Sequence, residues 1–135
     1  MAANNQNNQL FEIDHFIRHR VNRRNKTVQI LVKWTDFDQP TWEPEAVLQE
    51  TAGRTLYNYW HERRGRDRAT RLREYHVFKI LARGWRGGAW YFECQWVGYS
   101  RVDKTWEPEA KVRRNAGGLV RKWFADQAAA NQNAP

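Results

Sequence analysis

The hexapeptide TWEPEA occurs twice in this chain, at residues 41–46 and 105–110. Alignment on its two tryptophans, Trp42 and Trp106, extends the correspondence in both directions. Upstream, VKWTDF (32–37) matches CQWVGY (94–99) with an offset of 62. Further upstream, LFEIDHFI (10–17) matches EYHVFKIL (74–81) with an offset of 64, and downstream ETAGRTLYNYW (50–60) matches RNAGGLVRKWF (114–124), again at 64. The offset changes only between the matched blocks, where loops tolerate insertion. A repeat of about 50 residues is too long for a solenoid unit, which only stacks. The chain is therefore expected to make one small fold twice.

The pattern within a copy gives its elements. Val28, Ile30, Val32 and Trp34 alternate with Gln29, Leu31 and Lys33, and Trp90, Phe92, Cys94 and Trp96 alternate with Tyr91, Glu93 and Gln95. A period of two marks a strand with one face inward, although Leu31 interrupts the polar face. Ile13, Phe16 and Ile17, matched by Val77, Ile80 and Leu81, predict a preceding strand. RHRVNRRNKT and ARGWRGGA read as the turns between them. Pro44 and Pro108 confine the repeated Trp-Glu segment to an edge strand or its end. Leu56, Tyr59 and Trp60 fall at i, i+3, i+4, as do Leu119 or Val120 with Trp123 and Phe124, so each copy closes with a short helix. The predicted class is α+β, mainly β, with two domains, each a three-stranded antiparallel sheet and a C-terminal helix. They span 10–62 and 74–127, joined by a basic linker at 63–73 and flanked by disordered tails at 1–9 and 128–135. Trp42 and Trp106 are expected in the cores.

Charge and chemistry narrow the function. The net charge is +8. Residues 10–62 are nearly neutral, whereas RRGRDRATRLR (63–73) holds six arginines against one aspartate. Such a segment can touch phosphates, or can simply be a solvated connector. No apolar run reaches the roughly 18 residues of a membrane span, and MAANNQNNQ lacks the apolar core of a secretory signal. The single cysteine, Cys94, has no internal partner, which fits a reducing compartment, and its place in the alternation reads as a buried core thiol. His15 and His19 are four apart but lie on or after a strand, with no acid or cysteine cluster, so no metal is expected. No catalytic constellation is present, and the chain is read as a non-enzyme without a cofactor.

The blocks EYHVFKIL…YFECQWVGY…TWEPE and LFEIDHFI…QILVKWTDF…TWEP resemble the chromodomain family, in order and twice, over nearly all of residues 10–127. The chain is similar to tandem chromodomain proteins, known among chromatin remodellers and in a chloroplast targeting protein. The resemblance implies a nuclear, chromatin-associated reader of methylated lysine. Its three-aromatic cage carries over to Phe11, Trp34 and Phe37 in the first copy, and to Tyr75, Trp96 and Tyr99 in the second. A trimethylammonium has charge but no N–H to donate, so aromatic faces suit it, each contact contributing about 0.5–2 kcal/mol. Asp103, and Asp38 in the shorter loop of the first copy, are the candidate acids beside the cages. The family takes its peptide as an added strand. That places an N-terminal clasp at 11–13 and 75–77, including Ile13 and Val77, and a C-terminal clasp at 43–48 and 107–112, including Glu43 and Glu107. The sequence departs from the heterochromatin readers in the second clasp: Val47 and Gln49, and Lys111 and Arg113, stand where Asn and Asp are usual. Lys111 and Arg113 would repel a basic tail.

The first functional expectation is thus a module binding a methylated histone tail, in the first place H3 carrying di- or trimethyl-lysine. A second is nucleic-acid binding, to nucleosomal DNA or RNA, through Arg63, Arg64, Arg66, Arg68, Arg71 and Arg73. A third, from the chloroplast relatives, is an unmethylated arginine-rich peptide.

Overall fold

The computed structural model describes residues 2–4 and 10–132, with side chains from Phe11 onward. The chain divides into two compact units, Met1–Tyr75 and His76–Pro135. In the first, strand β1 (Ala2–Asn4) is followed by β2 (Leu10–Asn22), β3 (Thr27–Trp34) and β4 (Thr41–Pro44), then by helix α1 (Glu45–Glu62) and a short helix α2 (Arg66–Thr70). The second contains β5 (Val77–Arg86), β6 (Ala89–Trp96), β7 (Thr105–Pro108) and helix α3 (Glu109–Gln132). The mainly-sheet α+β class is as the sequence predicts. The sheets are antiparallel, in the orders β1-β2-β3-β4 and β5-β6-β7.

The sequence repeat is also a repeat of register. Ile13 pairs with Trp34 and Val77 with Trp96, while Ile30 pairs with Glu43 and Phe92 with Glu107. Bulges fall at matched places, between Ile13 and His15 and between Val77 and Lys79. Both long helices break helical geometry at matched alanines, Ala52 (φ −137°) and Ala116 (φ −144°). Each helix begins directly after the proline that ends the edge strand.

The first core gathers Ile13, Phe16, Val28, Ile30, Val32 and Trp34 from the sheet with Leu48, Leu56, Tyr59 and Trp60 from α1. The second joins Ile80, Phe92 and Cys94 to Val112 and Val120. Cys94 is fully buried, and burial raises its thiol pKa to about 11, which keeps it protonated and unreactive at neutral pH.

Several sequence expectations change. The first hairpins are longer than predicted, because β2 runs through most of RHRVN and β5 through ARGWR. Arg18 and Arg20 occupy alternate positions on one sheet face, over Trp42, which satisfies a strand rather than a loop. Arg20 lies over the Trp42 ring at 4.2 Å and Arg86 over Trp106 at 4.5 Å. Trp42 and Trp106 are thus half-buried under guanidinium groups instead of lying in the cores. Leu31, which pairs with Trp42, is buried on that same side. Gly84 permits the close approach in the second unit: a Cβ there would sit 3.3 Å from the Trp106 ring.

Residues 63–73 are not a free linker. Leu72 and Ala69 pack into the first core, and the Arg23 guanidinium donates to the Thr70 carbonyl at 2.9 Å. The disordered tails also need correction. Ala2–Asn4 forms a strand, and α3 continues to Gln132, supported by the alanine-rich run 128–130 and by Lys122 and Asp126 at 2.7 Å. Residues 1, 5–9 and 133–135 of those tails lie outside the described residues.

Candidate functional site

The site in the first unit grows from the end of β3. Trp34 is the last residue of that strand, and the chain then turns tightly, with Phe37 N–H donating to the Trp34 carbonyl at 3.3 Å. Asp36 takes the left-handed conformation the turn requires (φ 68°). Lys33 clamps the turn, donating from Nζ to the carbonyls of Trp34, at 2.7 Å, and of Phe37. The indole is oriented by a relay: Trp34 Nε1 donates to Thr41 Oγ1 at 2.7 Å, and that hydroxyl donates to Glu43 Oε2 at 2.9 Å. Glu43 therefore acts on the ring through Thr41.

Phe11 enters from the start of β2. Glu12, the next residue, accepts from Thr35 N–H at 2.8 Å, which extends the β2–β3 ladder to the site. The Phe11 ring lies 6.3 Å from Trp34 and 4.8 Å from Phe37, edge-on to both. The three predicted rings of the first cage are thus one cluster. Trp34 is buried, Phe11 half-buried, and Phe37 45% exposed. Phe11 and Phe37 are in contact, and Phe37 is the most exposed of the three rings.

In the second unit the same devices recur. Tyr99 N–H donates to the Trp96 carbonyl at 3.1 Å, and Gly98 supplies the left-handed turn residue (φ 89°). Gln95, the counterpart of Lys33, donates to the Tyr99 carbonyl at 3.0 Å, and Trp96 Nε1 donates to Thr105 Oγ1 at 2.9 Å. Val97 N–H donates to the His76 carbonyl at 2.9 Å, the equivalent of Thr35 to Glu12. The unit boundary falls just before this point. Tyr75 is the last residue of the first unit, and its hydroxyl donates to Asp67 at 3.1 Å. Partial burial, and then the Asp67 carboxylate, raise the Tyr75 phenol pKa.

The other predicted residues fall as follows. Asp38 and Asp103 are both exposed, Asp103 in a single 3-10 turn. Ile13 is buried in the core, and Val77 packs partly against the second core. Only 43–44 and 107–108 of the expected C-terminal clasps are extended; from Glu45 and Glu109 onward the chain is helical, so those residues cannot offer strand edges. Glu107 is engaged by Lys111 at 3.0 Å and Glu109 by Arg113 at 3.1 Å. The two cations expected to repel a basic tail are therefore ion-paired.

Residues 75–126 match the Chromo (CHRromatin Organisation MOdifier) domain. This supports the chromodomain family for the stretch from Tyr75 to the body of α3. The family consists of binding modules, generally chromatin-associated readers of methylated lysine on histone tails. No curated protein matches the chain.

Of the six arginines read as nucleic-acid contacts, Arg66 is removed by the structure. It is 3% exposed and bonds bidentately to Glu45, with Nε to Oε2 at 2.9 Å and Nη2 to Oε1 at 2.9 Å. Trp60 Nε1 donates to the same carboxylate at 2.8 Å. Arg63 lies 3.5 Å from the Tyr59 ring centre and donates to the Tyr59 carbonyl. Arg64, Arg68, Arg71 and Arg73 remain exposed. His19, considered above as a metal candidate, has its Nδ1 2.7 Å from the Tyr59 hydroxyl.

Proposed function

We propose that the chain is a chromatin reader made of two chromodomains in tandem, binding a methylated histone tail, in the first place H3 carrying di- or trimethyl-lysine. The peptide adds as a β-strand along the start of β2 or along the segment 75–77, and the methylammonium enters the aromatic cage. The first cage is Phe11, Trp34 and Phe37, with Asp38 nearby in sequence; the second is Tyr75, Trp96 and Tyr99, with Asp103. The observation that carries this reading is the convergence of Phe11, Trp34 and Phe37, a cluster at 4.8 and 6.3 Å. Its supporting turn, indole-to-threonine bond and backbone bond recur around Trp96 and Tyr99, inside the Chromo match. A nuclear, chromatin-bound location follows from the same reading.

Fluorescence polarisation with matched H3 tail peptides tests it. The methylated peptide should bind more tightly than its unmethylated twin; equal affinity at every common site would contradict the proposal.

A second reading, nucleic-acid binding, retains one supporting observation: Arg68, Arg71 and Arg73 line a single surface cleft with Tyr75. It requires affinity that falls steeply with salt and does not respond to cage substitution.

A further inference from the structure

The two units differ most at one matched face. In the first, His19, Val21, Val28, Tyr59 and Trp60 form it, and the chain covers it. Helix α1 ends at Glu62, the backbone reverses through Arg64 (φ 65°) and Gly65 (φ 104°), and the following segment packs Ala69 and Leu72 onto the sheet. Arg66 then reaches Glu45. The counterparts in the second unit are Arg83, Trp85, Trp90, Trp123 and Phe124, with Glu109 in place of Glu45.

There α3 runs straight on, and the face stays open. Trp85 is 59% exposed, Trp90 40% and Phe124 37%. Trp85 and Trp90 meet edge to face at 5.3 Å, opposite one another across the β5–β6 hairpin. Arg83 takes over the task of Arg66. Its guanidinium bonds to Glu109 at 3.1 Å and lies 3.7 Å from the centre of the Trp90 ring. Arg113 also bonds to Glu109 and lies 5.4 Å from the Phe124 ring centre. Arg86, next to Trp85 in sequence, lies on the opposite face, over Trp106.

The charges decide what fits. A cover like that of the first unit would bring an arginine toward Glu109, but two arginines already occupy that carboxylate. A basic segment would be repelled. The second unit carries ten Lys and Arg against five Asp and Glu, so an anionic occupant is favoured. Exposed indoles among guanidinium groups offer stacking faces beside phosphate contacts, the combination that holds single-stranded nucleic acid without sequence preference.

We propose that the Trp85–Trp90 hairpin of the second unit is a binding surface for single-stranded nucleic acid: bases stack on Trp85, and Arg113, half-exposed on the same face, meets the phosphates. This site is separate from the methyl-lysine cages and from the arginines of 63–73.

The test is fluorescence anisotropy of a labelled single-stranded oligothymidylate with the full chain. Trp85→Ala should weaken binding about tenfold, in line with the loss of one stacked base, and Trp85→Phe should restore most of it. Combined alanine substitution of Arg64, Arg68 and Arg73 should leave affinity unchanged, and polyglutamate of equal charge should not displace the oligonucleotide. Because Trp85 is largely exposed, the urea midpoint should not move, and that control separates lost binding from lost fold. Undiminished binding by Trp85→Ala, dependence on the 63–73 arginines alone, displacement by polyglutamate, or no binding at low salt would each overturn the proposal.

Discussion

The Arg66 guanidinium meets the Glu45 carboxylate at 2.9 Å with side-chain exposures of 3% and 1%. The pair joins the first residue of α1 to the segment after it and makes residues 63–73 part of the first unit. Removing one partner leaves a buried charge uncompensated, which costs about 3–5 kcal/mol. Arg66→Ala should therefore lower the urea midpoint of the first unit sharply, whereas Arg68→Ala, at an exposed position, should shift stability by less than about 0.5 kcal/mol. Equal effects would show that the segment is a free connector after all.

His19 makes the first unit sensitive to acid. Burial lowers its pKa; the Arg63 charge adds to this, while a hydrogen bond to the Ala69 backbone and the Glu45 carboxylate oppose it. The unfolded chain keeps the ordinary value near 6.5. Above that pH the imidazole is neutral in both states and the unit has its full stability. As pH falls below it, the unfolded state takes up a proton that the folded state resists, so stability declines until the folded value is reached. Urea unfolding between about pH 8 and 5 should show this decline, and His19→Gln should remove that part of the slope. An unchanged slope in the variant would contradict the assignment.

The backbone of β1 pairs Ala3 with Phe11 and Asn4 with Leu10, along the edge where an added peptide strand would lie. Residues 1–9 contain no lysine or arginine, so this segment takes the strand position without offering a cage ligand. Deleting them should tighten binding of a methyl-lysine peptide to the first cage, by up to about tenfold if the strand is worth roughly 1.4 kcal/mol. Titration in a Trp96→Ala background isolates that cage. Unchanged or weaker affinity would show that β1 does not compete.

What could be read from the sequence was the part written in short-range pattern. The alternation ending at Trp34 and Trp96 gave the strands and their faces, and the family resemblance named three rings that converge in the first unit. Local pattern failed where partners lie far apart. The burial of Arg66 depends on Glu45, 21 residues earlier, and a run of six arginines otherwise reads as solvated. Trp42 and Trp106 looked like core because they are tryptophans, yet they lie half-buried on a face covered by Arg20 and Arg86. A sign was available in the spacing of Arg18 and Arg20, two apart like residues on one side of a strand. The alanine-rich stretch after Asp126 is low in complexity and high in helix propensity, and propensity prevailed.

The central claim is that the cages read methyl-lysine, and calorimetric titration tests it most directly. The full chain would be titrated with H3 tail peptides, methylated and unmethylated at each common lysine, beside Trp34→Ala and Trp96→Ala. The account predicts methyl-dependent binding that weakens about fivefold or more when the working cage loses its indole, the ratio expected for about 1 kcal/mol of cation–π attraction. Binding indifferent to methylation, or methyl-dependent binding that survives both substitutions, would contradict it.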